Sequence, residues 1–300
     1  MESTVKIRDW GLKIRMWFTM FMLFLITIAF LTLLWIYGAS TWMLVLFAGG
    51  MLFVQYYFSD RLALLACGAK VVSESELPEV HAIVADLARK AGLPKPKVAV
   101  VNTRIPNAFA TGRSPSASTV AVTTGLLRIL DRDEVEAVLG HEMSHIAHRD
   151  VMVITMASFI ATLAWFVMRM AMFMGMWGYS DRDRNDLAPL VLFAISSLIW
   201  LISFLLIRAL SRYREYAADM GSALLTRKPE KLISALLKIS GTMEYVPPEE
   251  KKQVEGLNAF FIIPAISGET IMSLFSTHPP IEKRIAKLEE IAEKMRRGEL

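Results

Sequence analysis

Four long apolar runs without a single charge, Met16–Tyr37, Thr41–Phe58, Val151–Met168 and Leu187–Ile207, constrain this chain more than any other feature. A hydrocarbon core of ~30 Å takes ~20 apolar residues at 1.5 Å rise each. The first and last runs meet that length directly; the second and third are shorter but adequate. Buried helices of soluble proteins hold apolar runs of roughly 10–14 residues, so a soluble core does not account for them. A hydrophobic fraction of 54% and a mean hydropathy of +0.41 agree with a multi-pass membrane protein. The first run is too long for the apolar stretch of a cleaved signal peptide, ends without a small-residue cleavage site and leads almost directly into the second. One cysteine, Cys67, excludes an intrachain disulfide or a dithiol redox motif.

Basic residues flanking the spans set the expected orientation. Lys6, Arg8, Lys13 and Arg15 precede the first run, Arg61 and Lys70 follow the second, and Arg208, Arg212 and Arg214 follow the fourth. The link Gly38–Ser40 carries no charge, and Gly178–Asp186 sets Arg182 and Arg184 against Asp181, Asp183 and Asp186. Both termini and the polar segments are therefore expected on the cytoplasmic side of the cell membrane. The pI near 9.1 then reflects a basic belt against anionic lipid rather than a nucleic-acid partner, for which no motif is present.

The runs divide the chain into an N-terminal hairpin (1–59), a polar segment (60–150), a second hairpin (151–207) and a second polar segment (208–300). The two polar segments are expected to pack as one domain. In the first, Leu77–Ala91 has helical apolar spacing and ends at Gly92 and Pro94. Lys97–Asn102 and Thr119–Thr124 read as strands, with a shorter one at Asn107–Thr111. Asp131 or Asp133 caps the next helix, with Glu134 in its first turn. The second segment reads as helical, with breaks at Pro247-Pro248 and Pro279-Pro280.

The capped helix carries His141-Glu142-Met143-Ser144-His145, an H-E-x-x-H pattern. Two histidines four apart share a helical face and can reach one ion, and the glutamate beside the first is placed to take a proton from a water that the ion activates. Three fixed positions arise by chance in a chain this long on the order of one time in a hundred, so the helical context matters. A third protein ligand is needed. His148 lies ~10.5 Å along the axis from His141, too far to join both others. Glu215, in Arg214-Glu215-Tyr216-Ala217-Ala218-Asp219, is the better candidate. Asp219 lies one turn on, placed to accept the second N–H of a ligating histidine. Two spans separate the histidines from Glu215, so both ligand sets return to one side of the membrane, each ~9–12 Å from an apolar run.

At these residues the sequence resembles the HtpX-type membrane zinc metalloproteases, relatives of the CAAX prenyl proteases. Paired N-terminal spans, HEMSH, a second apolar pair, SRYREYAAD and THPPIEKRI carry the resemblance over most of the chain. It implies an α+β, mainly helical fold: four transmembrane helices plus a zincin-like protease domain with a small β-sheet. It implies one Zn2+ per chain on His141, His145 and Glu215, with Glu142 as catalytic base and Asp219 behind the ligands. It also places Asn107, Ala108, Phe109 and Ala110 on an edge strand beside the metal, where an extended peptide binds by main-chain hydrogen bonds. His278 and Arg284 match a pair close to the active site in relatives, suited to stabilising an oxyanion. Misfolded membrane proteins or unfolded polypeptides are the implied substrates, with the bilayer as a further partner; no oligomeric state follows.

Three alternatives differ in what they require. A CAAX-type processing protease would use the same chemistry within a larger set of spans. A transporter would show polar groups inside several spans, and an inactive scaffold has no need of a complete ligand-and-base set. The methionines alternating from Met168 to Met176 suit lipid contact or packing better than metal binding, since thioethers are poor zinc ligands. Arg169, in the extension of the third run, stands where a charge is costly and should snorkel or find a partner. His81 reads as a packed or solvated helix residue.

Overall fold

The computed structural model describes residues 10–36, 40–177, 188–247 and 278–300. Lys6, Arg8, Gly38, Ala39, the link Gly178–Asp186 with its charges, Pro248 and Thr277 lie outside those residues, as do the side chains of Lys13, Met174 and Met176. Helices α1 (Trp10–Ile36), α2 (Thr41–Ala66), α6 (Asp150–Trp177) and α7 (Ala188–Thr226) hold the four apolar runs. Among the described residues, three helices contain a stretch long and apolar enough to cross a membrane: Ile14–Ile36, Asp150–Phe173 and Pro189–Thr226. Helix α2 is not one of the three. It runs on past the apolar stretch through Asp60 and Arg61 to Ala66.

Leu23, Phe30 and Leu34 of α1 interlock with Ala157, Ile160, Leu163 and Ala164 of α6 and with Leu210 of α7. Outward-facing Trp17, Trp42, Leu46 and Phe173 stay exposed, as expected of helix faces that meet lipid rather than water. Arg169 lies over the ring of Trp165, 5.5 Å from its centroid. One helical turn separates the two, so the charge gains a cation–π partner on its own helix.

The polar segments build an α+β unit. Helix α3 (Pro78–Ala91) starts on a proline and ends at Gly92, whose φ of 66° closes it in the left-handed conformation glycine favours. Strands β1 (Lys70–Val71), β2 (Lys97–Val101), β3 (Ala108–Thr111) and β4 (Thr119–Thr123) form one sheet in the order β1-β2-β4-β3. β2 and β4 run parallel while β3 returns antiparallel to β4, which leaves β3 at an edge. Alternation along the strands divides the sheet. Val98, Ala108, Val120 and Val122 face the main core with α3 and α5, and Ala99, Phe109 and Ala121 pack on Leu64 and Cys67 at the end of α2. Tyr56 also ties α2 to the loop after β3 by donating to the Arg113 carbonyl at 2.8 Å. His81 is buried, with Nε2 3.2 Å from the Val72 carbonyl.

Short helix α4 (Thr124–Ile129), absent from the sequence reading, leads into α5 (Arg132–Ala147). Asp131, rather than Asp133, is the cap of α5. Its carboxylate accepts from the Glu134 N–H, and Glu134 accepts from the Asp131 N–H, each at 2.8 Å. Such a reciprocal cap contributes about 1 kcal/mol. Glu134 also accepts from Ser234 and Lys238 of α8 (Pro229–Glu244), so one carboxylate starts α5 and docks α8. Helix α9 (Ile281–Arg296) packs on α7 and α8, so elements of both polar segments share one core.

Candidate metal centre

Two features bring the ends of the polar segments together. Helix α7, 39 residues long and about 58 Å at 1.5 Å per residue, runs far past its apolar stretch and carries Glu215 and Asp219 alongside α5. Gly140, just before His141, permits the close approach. A Cβ there would lie 3.1 Å from both Ser222 Oγ and Thr226 Cγ2, and Ser222 Oγ donates to the Ala137 carbonyl at 2.6 Å.

His141 and His145 lie one turn apart on α5, their rings edge to face and their Nε2 atoms 3.0 Å from each other. Glu215 faces both: Oε2 is 3.7 Å from His141 Nε2 and Oε1 is 3.5 Å from His145 Nε2. These three are the described residues able to hold a metal ion together. The far side of each ring decides what the near side can do. His141 Nδ1 lies 2.9 Å from Asp219 Oδ1, and His145 Nδ1 lies 2.6 Å from Asp150 Oδ2. An ionised carboxylate only accepts, so each Nδ1 carries the proton and each Nε2 presents a lone pair. Two lone pairs and a carboxylate then converge on one point, an arrangement that a bound cation relieves. Tetrahedral zinc, with Zn–N near 2.05 Å, holds its ligand atoms about 3.3 Å apart. The observed separations bracket that value, and the N/N/O donor set suits zinc.

Each carboxylate behind a histidine is itself held by an arginine. Arg284 grips Asp219 with both arms of its fork, Nε to Oδ2 at 2.9 Å and Nη2 to Oδ1 at 2.6 Å. Arg214 pairs with Asp150 and donates to the His148 carbonyl at 3.0 Å. From the sequence, Asp150 has no role and Arg214 only that of a span-flanking charge. Asp150 reaches His145 because Arg149 takes a left-handed φ of 55°, turning the chain sharply between α5 and α6. His148 caps the end of α5 and is not in the metal-binding group.

Glu142 is buried on the same stretch of helix, and its carboxylate accepts from the Ala110 N–H of edge strand β3. Burial pushes its carboxyl up to about 7, against the pull of His141, while Glu215 adds to the rise. A carboxylate poised there exchanges a proton readily near neutrality. Burial pushes His145 down to about 4, against the pull of Glu215, which keeps its ring neutral and ready to coordinate. Asn107 fixes the start of β3 by accepting from the Thr123 N–H and donating its own N–H to Thr123 Oγ1, each at 2.9 Å, and Phe109 turns its side chain into the α2 contact. His278 Nδ1 lies 2.9 Å from Glu215 Oε2, and Arg284 Nη1 lies 3.5 Å from the same oxygen. Despite burial, Asp219 and Glu215 hold the Arg284 guanidinium above its ordinary range.

Comparison with known proteins adds four findings. The profile described as Peptidase family M48 matches residues 74–292. The chain is 51% identical over 288 residues to a Methanosarcina acetivorans protein named protease HtpX homolog 2, covering 96% of this chain and 98% of that one. It is 52% identical over 288 residues to a Moorella thermoacetica protein named protease HtpX homolog, covering 96% of each. The crystal structure of S. mikatae Ste24p matches with a TM-score of 0.55 at 19% identity, over 92% of this chain and 67% of that one, a likeness of fold alone.

Proposed function

This chain belongs to peptidase family M48 and is a multi-pass membrane metallopeptidase, and we propose that it is a zinc endopeptidase cleaving misfolded or damaged membrane proteins at the cytoplasmic face. The observation that carries the chemistry is the convergence of two Nδ1-anchored imidazoles and Glu215, with Glu142 beside them. His141, His145 and Glu215 would hold the ion. Bound zinc supplies a Lewis acid that polarises the scissile carbonyl and lowers the pKa of water. Glu142 takes the proton of the attacking water and later delivers it to the leaving amine. On its side away from β4, edge strand β3 offers main-chain groups of the Asn107–Ala110 segment to an extended peptide, Asn107 itself being held by Thr123, a recognition mode that tolerates many sequences. Arg284 acts as a positioning residue, since its Nε and Nη2 hold Asp219 while Nη1 faces Glu215, and His278, which lies against Glu215, is the group we assign to developing negative charge. Helices α6 and α7 continue from the site directly into apolar stretches, which suits substrates already in or near lipid.

Detergent-purified protein with zinc, incubated with an unfolded polypeptide and with a destabilised membrane protein, tests this beside Glu142→Gln. Cleavage at several sites by the wild type and none by the variant, with equal metal in both, is expected. Equal cleavage by the variant would remove Glu142 from the mechanism, and cleavage confined to prenylated C-termini would mark a processing protease instead.

A further inference from the structure

A cavity of about 560 Å3 opens where α7 and α9 meet the start of α1, on helix faces that neighbour those carrying the metal-site residues. Arg15 of α1, Tyr213 and Tyr216 of α7, and Lys283 and Lys287 of α9 line it, with Glu290 at its rim. Three cations against one carboxylate leave it net positive. Glu290 is shared between Lys287 at 2.8 Å and Lys294 at 2.5 Å, whereas Arg15 and Lys283 make no ion pair among the described residues. The volume falls within the range of about 300–1,000 Å3 usual for small-molecule sites.

Its depth follows from the helices. Arg15 directly precedes the apolar run of α1. On α7 the uncharged stretch ends at Arg208, and Tyr213 and Tyr216 lie five and eight residues further on, about 7.5–12 Å along the axis. The headgroup layer reaches roughly 5–8 Å beyond the hydrocarbon on each side. The cavity therefore opens at or just past headgroup level, with tyrosines at the depth where amphipathic rings settle. Basic pockets between spanning helices at this level suit anionic lipid heads.

We propose that this cavity binds the phosphate headgroup of an anionic phospholipid, bridging Arg15 and Lys283 and thereby tying α1 to α9. Tyr216 follows Glu215 and Lys283 precedes Arg284, so a headgroup here braces α7 and α9 from outside the Arg284–Asp219 pair. The lipid thus supports the last helix of the metal site without touching the metal ligands. Nothing in this inference depends on peptide hydrolysis, and its test needs none.

The full-length, zinc-loaded protein is placed in vesicles of phosphatidylcholine alone, or of phosphatidylcholine and phosphatidylglycerol in equal parts, and its thermal unfolding midpoint is read. Native mass spectrometry counts retained phosphatidylglycerol. Phosphatidylglycerol is expected to raise the wild-type midpoint. Joint Arg15→Ala and Lys283→Ala substitution should remove more than half of that rise together with the retained lipid, while Lys283→Arg alone keeps both. Both positions are exposed, so these changes spare the core, and Lys95→Ala on the exposed polar surface serves as a charge control. An equal rise in the double variant, or an equal loss in Lys95→Ala, would overturn the site in favour of diffuse attraction to the surface. If inorganic phosphate in detergent reproduced the whole rise, the ligand would be a soluble anion and the lipid assignment would fall.

Discussion

The two histidines of the metal centre are supported in parallel ways with different surroundings. His141 rests on Asp219, which rests on Arg284; all three side chains are at most 2% exposed and come from α5, α7 and α9. His145 rests on Asp150, which pairs with Arg214, and here the histidine is 17% exposed and the carboxylate 10%. The inner arm joins three helices of the catalytic unit. The outer arm joins the end of α5 to the first residue of α6 and to α7, both of which lead into apolar stretches. In each arm the carboxylate and arginine cancel, so Glu142 and the ligand Glu215 remain as the charges facing the ion. One arm secures the site within the fold, and the other ties it to the helices that enter the membrane.

The sharpest way to break this comparison is to remove the arginines. Arg284→Met leaves Asp219 fully buried without its partner and should cost about 3–5 kcal/mol. Arg214→Met should cost less, about 2 kcal/mol, because the Asp150 side chain is 10% exposed where Asp219 is fully buried. Chemical unfolding of the two variants in detergent measures both, and an equal or reversed order would show that the arms are not distinguished by burial. A smaller effect is expected from the carboxylates. Asp219→Asn should weaken zinc affinity towards the upper end of about 10–100-fold, and Asp150→Asn towards the lower end. Competition with a chelating dye reads this, and an unchanged affinity in Asp219→Asn would refute its role in orienting His141. Smallest is the turn that sets the outer arm. A left-handed residue other than glycine costs about 1–2 kcal/mol, so Arg149→Gly should be neutral or stabilise by up to about 1 kcal/mol. A loss of stability there would mean that the Arg149 side chain matters in its own right.

The inner arm was more legible in the sequence than the outer one for a physical reason. His141, His145, Glu215 and Asp219 lie at helical spacings, so which of them share a face follows from 3.6 residues per turn. Asp150 is five residues after His145, beyond the end of α5, and reaches it only because Arg149 reverses the chain. Its position just before an apolar run reads as a boundary rather than as a site. Arg214 stands beside Glu215, but its partner lies on another helix. The strands near Lys97 and Thr119 were readable from valine-rich alternation, and the shorter one near Asn107 from its place between them ahead of a turn-rich link. β1 has two residues and α4 has six, too short to leave a periodic signal. The fork of Arg284 on Asp219 was equally hidden, because the two lie 65 positions apart. By contrast, the Trp165 partner of Arg169 is one helical turn away and was within reach of the sequence.

Metal content measured against ligand identity tests the central claim most directly. Zinc per chain in detergent-purified protein should be one for the wild type and for Glu142→Gln, and should fall to near zero for His141→Ala, His145→Ala and Glu215→Ala under the same dialysis. Zinc lost from Glu142→Gln, or retained in full by Glu215→Ala, would contradict the assignment of ligands and base.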